Sequence, residues 1–561
     1  MKLTIGVTGH RDLVEDERPA LESRVRHHVD YLTKTFPDLE LELLTALAEG
    51  ADRLVASVAV ELGIPIIAVL PLAPVDYERD FESPESLAEF RYLLSKAGQT
   101  IQLPDIAGHS ENNRDNQYAQ LGVFISNHCE VLLALWDGKT SAALGGTADV
   151  VHYHVTGVME GYEGDLSPAR LLADNENDLV HHIVCSRDRP GGSPAEGLLP
   201  LETAWFSSRN NGERTAEMPE GYRLQLRRME RFVRDWQEKQ SVIRTQSSSL
   251  LTGKPDFEMP SGVQQTDSLF QAADGLAVHY QQRVNSSLRA IHILAVMMGL
   301  VFLVYSEFDG PGYMLLAFLG LFSAGVIIHI IGNAHEWHRK YLDYRILAEG
   351  LRVQLYWNLS GVVDTESAGF AYDNFLQTQD VDLGWIRHVM RQASMSRARG
   401  QAPDQAWVKW VIDEWVGEKE KGRGQLAYYS RKQLHNTSRF RRTQMLGNLC
   451  LWAGIALAIL LYALGTDGDG EQRRTLLVLM GVLPLIAGIW DAYSHKKAEK
   501  ELIKQYGFMS RVFGKARALL DNSADISFQR QVLKALGQAA LDEGAEWLLM
   551  HRERPLEHGR L

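Results

Sequence analysis

The chain has 561 residues, a net charge of −13 at pH 7 and 45% hydrophobic residues. That length accommodates several domains with more than one core, and the acidic balance argues against a dedicated nucleic-acid binder. The three cysteines, Cys129, Cys185 and Cys450, form no CxxC pair, which points to a reducing compartment and excludes a disulfide framework.

The first residues, Met1 to Leu13, read as a strand and a turn, not as the apolar run of a signal peptide, so the first domain is expected in the cytoplasm. Leu3 to Thr8 is a β-rich run. A helix is predicted next, with Leu21, Val25, Val29 and Leu32 on one face. Leu41 to Thr45 predicts a second strand and Asp52 to Leu62 a second helix. Pro65 to Leu70 and Val131 to Trp136 are apolar buried strands, the latter preceded by a helix from about Gln117 to Cys129. Strands alternating with helices predict a parallel, doubly wound sheet. Ligands of such sheets bind at the carboxyl ends of strands, where turns lead into helices.

Three turns fall at that place. Thr8-Gly9-His10-Arg11 follows the first strand, Ala48-Glu49-Gly50-Ala51-Asp52 the second. Asp137-Gly138 through Gly145-Gly146-Thr147 follows the Val131–Trp136 strand. Glycine permits close backbone approach and positive φ. Helix N-terminal amides then present partial positive charge to a phosphate, with Thr147 as a hydroxyl donor and Arg11 as added charge. Two known fingerprints fail. Gly138-Lys139-Thr140 is no Walker loop, because Leu133 stands where its first glycine belongs. No GxGxxG follows the first strand either.

Other chemistry is sparser. His152, His154, His181, His182 and Cys185 form the one dense group of soft ligands, but without a second cysteine pair they are not a standard zinc site. His335-Glu336-Trp337-His338 is one residue short of HExxH, and no GxSxG elbow occurs. Tyr77, Asp80 and Phe81 are either a nucleobase cap or surface loop residues.

Residues 241–270 read as a linker, with Ser247 to Ser249, Pro255, Pro260 and Gly262. Four apolar segments follow: Ala290–Tyr305, Tyr313–Gly332, Leu446–Leu464 and Leu476–Trp490. The second and third meet the roughly 17–25 residues that a spanning helix needs. The first and fourth span only if Arg289 and Asp491 reach the interface. Short turns carrying Glu307, Asp309 and Gly310, and then Asp467, Asp469 and Glu471, join them into two hairpins. Basic residues flank all four outer ends: Arg283 and Arg289, Arg339 and Lys340, Arg439 to Arg442, and Lys496 to Lys504. The positive-inside rule then predicts that both hairpins dip outward from the cytoplasm. Gly447, Gly454, Gly481 and Gly488 are spaced for close helix approach. His292 and His329, ionisable groups at membrane depth, either line a pore or bind a partner or, the favoured reading, lie near helix ends facing headgroups. Between the hairpins, Trp407, Trp410 and Trp415 mark a helical region, and a helical tail occupies about 524–561.

The motifs Thr8-Gly9-His10-Arg11, Ala48-Glu49-Gly50-Ala51-Asp52 and Gly145-Gly146-Thr147 resemble the SLOG superfamily over about residues 1–200. The C-terminal half resembles SLATT domains, through the hairpin followed by the helix Arg345–Trp357 and the later helix Gln505–Leu520. The resemblance implies a Rossmann-like nucleotide-binding domain (1–205), a linker with juxtamembrane helices (206–280), a first transmembrane hairpin with a following helix (281–360), a cytoplasmic helical region (361–440), a second hairpin unit (441–520) and a tail (521–561). It implies a sensor of a nucleotide-derived ligand, cyclic or related to ADP-ribose or NAD, with no cofactor assigned. It further implies a homo-oligomer that perforates the bacterial inner membrane in antiviral defence, with a signal-producing enzyme as partner. The expected ligand residues are Thr8, Gly9, His10, Arg11, Glu49, Gly50, Asp52, Asp137, Gly138, Gly145, Gly146 and Thr147. The hydrolase branch of the superfamily carries a glutamate where this chain has Val150, which favours binding without turnover. Two alternatives stay open: a membrane-anchored glycosidic-bond hydrolase using Glu49 or Asp149, and a nucleotide-gated channel or transporter.

Overall fold

A computed structural model describes residues 1–561 except 82, 107–112, 141–142, 163–177, 211, 255–258, 260–261, 309, 363–374, 376–382, 396–404, 419, 465–469 and 553–561. Asp309, Asp467, Asp469, Pro255, Pro260 and the polar end of the tail therefore lie outside the described residues. The N-terminal part holds seven strands: β1 (Lys2–Gly9), β2 (Glu40–Thr45), β3 (Ile66–Leu70), β4 (Gln99–Gln102), β5 (Val131–Trp136), β6 (Val180–Val184) and β7 (Thr203–Phe206). They form one sheet in the order β4-β3-β2-β1-β5-β6-β7. All neighbours are parallel except β6 and β7. The helices here are α1 (Arg18–Thr35), α2 (Ala51–Leu62), α3 (Pro84–Lys96), α4 (Asn113–His128), α5 (Thr147–Thr156) and α6 (Glu220–Glu238).

The sheet is buried because its strands are apolar runs, the pattern of a parallel sheet covered on both faces. Leu44, Ile67, Val69, Leu132, Ala134 and Val180 point to the face covered by α4 and α5. The period of two sends Leu43 and Leu133 to the other face, and α2 packs over β1, β2 and β3. Two expectations change. On α1 the buried face carries His28, not Val29, beside Leu21, Val25 and Leu32. His181 and His182, read as soft ligands, belong to the buried strand β6.

The C-terminal helices are α7 (Val263–Glu307), α8 (Tyr313–Ala334), α9 (Trp337–Ser360), α10 (Gly384–Met395), α11 (Gln405–Val411, running into a π turn at Ile412–Val416), α12 (Gly424–Leu464), α13 (Gly470–Lys496), α14 (Glu499–Asp521) and α15 (Ile526–Arg552). Four of these, α7, α8, α12 and the helix beginning at Gly470, are long and apolar enough to cross a membrane. Within their most apolar stretches only 6%, 0%, 6% and 0% of the residues are buried. Helices buried inside a soluble protein would bury those same residues, so their exposure fits a membrane protein.

The chain divides into two compact units. One comprises residues 1–238 and 363–399; the other comprises 239–362 and 400–561. The sheet unit thus runs past the expected boundary at 205, because α6 and α10 pack together within it. Trp385 of α10 lies 5.7 Å from Phe232 of α6, and Gln392 bonds to Lys2 at the start of β1.

Within the second unit, α7 packs along α8 and α9, α12 packs along α13 and α14, and α13 also packs on α7. The helices meet where glycine leaves room. A Cβ on Gly299 would lie 2.3 Å from Leu485, on Gly454 3.0 Å from the Pro484 ring, and on Gly481 3.0 Å from Leu303. Gly447 and Gly488 have nothing within 4 Å of such a Cβ, so only two of the four expected glycines are contact points. The tryptophans of the 405–416 segment pack as core. Trp407 and Trp415 are buried, and Trp415 stacks on Tyr356 at 5.3 Å. The helix after each pair begins at a left-handed residue, Glu336 before α9 and Ala498 before α14, both with φ 51° and ψ 36°.

Candidate ligand-binding site

The strand order reverses direction beside β1, between β2 and β5, and the turns at the carboxyl ends of these three strands surround one cavity of about 450 Å³. That size lies within the roughly 300–1,000 Å³ of small-molecule sites, and the location is where doubly wound sheets hold ligands. Of the expected residues, Thr8, Gly9, His10, Arg11, Asp52, Gly145, Gly146 and Thr147 line it.

Glycine is required at two of these turns. Gly145 has φ 75°, and a Cβ there would lie 2.6 Å from the backbone nitrogen of Ala119. Gly146 is the N-cap of α5, so the first turn of α5 offers amides that have no partner within the helix. Gly50 has φ 77° and caps α2; a Cβ there would lie 2.3 Å from the Arg11 carbonyl oxygen. The tight approach lets the Ala51 amide donate to the His10 carbonyl at 3.0 Å, which locks the first two turns together.

The charged groups are sorted by their partners. The His10 ring nitrogen Nε2 lies 3.1 Å from Asp137 Oδ1 and accepts from the Asp137 amide at 3.1 Å. Burial lowers the His10 pKa, against the opposing pull of Asp137. Asp52 is buried, and that burial pushes its pKa up to about 6; amides of Ala48 and Ala46, the Arg11 charge and the Thr45 hydroxyl pull the other way. Asp12 is held by Arg187 Nε at 2.8 Å. Arg11 is exposed, with its guanidinium 5.3 Å from the centre of the Tyr118 ring. The cavity therefore combines two arginines, a helix N-terminus and a tyrosine face, a set suited to a phosphate attached to a flat ring.

Four expected residues serve the scaffold instead. Glu49 accepts from the Ser86 hydroxyl and does not line the cavity. Gly50 acts through the backbone contact just described. Asp137 accepts from the Lys139 amide at 3.0 Å, and a Cβ on Gly138 would meet Leu198, away from the cavity. Asp149 is bonded by the Gly145 amide, and burial raises its pKa; it steadies the glycine turn from outside the lining. Tyr77 lines the cavity but is buried, donating to the Ala46 carbonyl at 3.2 Å. Asp80 accepts from Tyr118, and Phe81 packs under Arg53.

Tyr118, Gly122 and Arg187 were not singled out by the sequence. Gly122 carried a signal, since an isolated helical glycine often marks close packing; a Cβ there would lie 2.4 Å from Val150. Arg187 follows β6, whose Val180-His181-His182-Ile183-Val184 lacks a continuous apolar signal. The histidine group is dispersed: His152 is exposed, His154 bonds the Leu179 carbonyl, His181 stacks on His28 and His182 bonds the Trp136 carbonyl. Among the described residues no group of three or more His, Cys, Asp or Glu could hold a metal. No protein-family model matches the chain, and no curated protein matches it.

Proposed function

We propose that this chain is a membrane effector that binds a nucleotide-derived signal in the cavity at β1, β2 and β5 and then disrupts the inner membrane of a bacterium. In this reading the sheet unit is SLOG-like, the apolar helices are SLATT-like, the soluble parts are cytoplasmic and the working form is an oligomer. A separate enzyme makes the signal, a cyclic nucleotide or an ADP-ribose or NAD relative, and the outcome is abortive defence against phage. The observation that carries the reading is a cavity of about 450 Å³ at the switch point, in one chain with four unburied apolar helices. A ligand can shift the membrane half only by binding one of its states more tightly than another.

Titration calorimetry of the full chain in detergent, against cyclic nucleotides, ADP-ribose and NAD, tests the sensor half. Heat from one ligand class is expected; none across the set overturns it. The same samples test turnover. Asp52 is the carboxylate that bears on this second reading, because it lines the cavity with a raised pKa. Release of free base that disappears in Asp52→Asn would replace sensing by hydrolysis.

A further inference from the structure

The helical unit has a second, smaller cavity of about 190 Å³. It is too small for a nucleotide by the usual range of ligand sites. Its position is distinctive. Leu288 of α7, His338 of α9, Arg439 of α12 and Lys496 at the end of α13 all line it, and each lies within seven residues, or about two helical turns, of the end of an apolar stretch. The cavity therefore lies just beyond the apolar stretches of three candidate spans, α7, α12 and α13, and beside α9, which follows the fourth. Three cations, Arg439, Lys496 and Lys497, face it against one carboxylate, Glu499. Glu499 already accepts from the Ser494 hydroxyl at 2.8 Å and is 3.9 Å from Arg439. Burial first, and then the neighbouring His551, Lys496 and Arg552, hold the His338 pKa down at about 4.

We infer that this cavity binds a phosphate group, and that its source is the headgroup of an anionic phospholipid. The inference rests on reading the four apolar helices as membrane spans. A positive pocket between helices at the interface is the arrangement that holds a lipid phosphate while its acyl chains lie along the apolar faces. A soluble phosphate has the same chemistry without the chains, so the two sources separate experimentally.

The full chain in neutral detergent would be titrated with short-chain phosphatidylglycerol, with phosphatidylcholine and with inorganic phosphate. Phosphatidylglycerol is expected to bind about tenfold or more tighter than phosphatidylcholine, without displacement by excess inorganic phosphate. The double variant Arg439→Gln/Lys496→Gln should remove that preference. Lys504→Gln, an exposed lysine on α14 outside the cavity, should keep it. The charge-preserving pair Arg439→Lys/Lys496→Arg should restore it, which separates loss of charge from loss of fold. Unchanged preference in the double variant, equal binding of the two lipids, or displacement by inorganic phosphate would each overturn the headgroup site. A chain that stays in solution without detergent would overturn the membrane reading itself.

Discussion

His28 and His181 stack with ring centroids 4.1 Å apart inside the sheet unit, beside Trp205. Neither His28 nitrogen has a hydrogen-bond partner among the described residues. Burial, with the nearby His27 charge, drives the His28 pKa from 6.5 down to about 3. A folded-state pKa below the unfolded one gives stability that is complete above the unfolded pKa and lost as pH falls toward the folded value. The window here opens at pH 6.5, and His28 alone withdraws about 1.4 kcal/mol per pH unit below it. We expect His28→Phe to leave stability at pH 7 equal or higher and to make the acid slope shallower by about that amount, read from urea melts between pH 7 and 5. Glu130 has the opposite sign. Burial lifts its pKa from 4.5 to about 8, so its contribution is complete below 4.5 and disappears as pH rises toward 8. Glu130→Gln should therefore remove a loss of stability that otherwise accumulates as pH rises through the same pH 5 to 7 range and on to 8. At the cavity, Arg11→Ala should weaken binding of a phosphorylated ligand by about ten- to a hundredfold in calorimetry, the effect of one charge-assisted hydrogen bond, with unchanged melting.

Among the elements, α10 has the least expected location. It lies between the two membrane-helix groups in sequence, yet it packs with the sheet unit. Trp385 is fully buried there. Trp385→Ala should cost about 3–5 kcal/mol in denaturant unfolding of the sheet unit, by removal of a large side chain from a core. A smaller loss would mean that the site collapses onto Phe232. In the helical unit, Gly299→Leu should disrupt the contact of α7 with α13 and lower the melting temperature in detergent, whereas Gly488→Leu, where the space is open, should be silent. The pattern of what the sequence revealed follows from the range of the interactions. β3 and β5 are continuous apolar runs, β1 and β2 are apolar-rich and β-prone, and the turns after β1, β2 and β5 carry glycine, so all four are readable locally. β6 was hidden because Val180-His181-His182-Ile183-Val184 places two polar-looking side chains in a core, where stacking on His28 and a bond to the Trp136 carbonyl accommodate them. α10 was hidden because its partners, Lys2, Glu130 and Phe232, lie far away in sequence. The cavity turns were readable from glycine placement, but Tyr118 and Arg187 enter it through tertiary packing alone.

At the scale of the molecule, the sheet unit holds none of the four candidate membrane spans, and all four fall in the helical unit. A single chain offers too few helices to enclose a wide pore, so the proposed function predicts assembly. Dye-filled liposomes carrying the full chain should leak only when the ligand found by calorimetry is added. Arg11→Ala should shift that response to higher ligand concentration, and cross-linking should show larger assemblies under the leaking condition. Leakage independent of ligand would mean that the sheet unit does not control the helices. A strict monomer in both conditions would remove assembly from the mechanism.

Glu336 and Ala498, with the same left-handed backbone, carry a shared mechanical consequence. A residue other than glycine held in that conformation is disfavoured by about 1–2 kcal/mol relative to right-handed helix. Each junction, between α8 and α9 and between α13 and α14, thus carries a local backbone cost that the rest of the unit offsets. Relief of that cost favours right-handed backbone at Glu336 and Ala498, which would join each pair of helices into a single longer one.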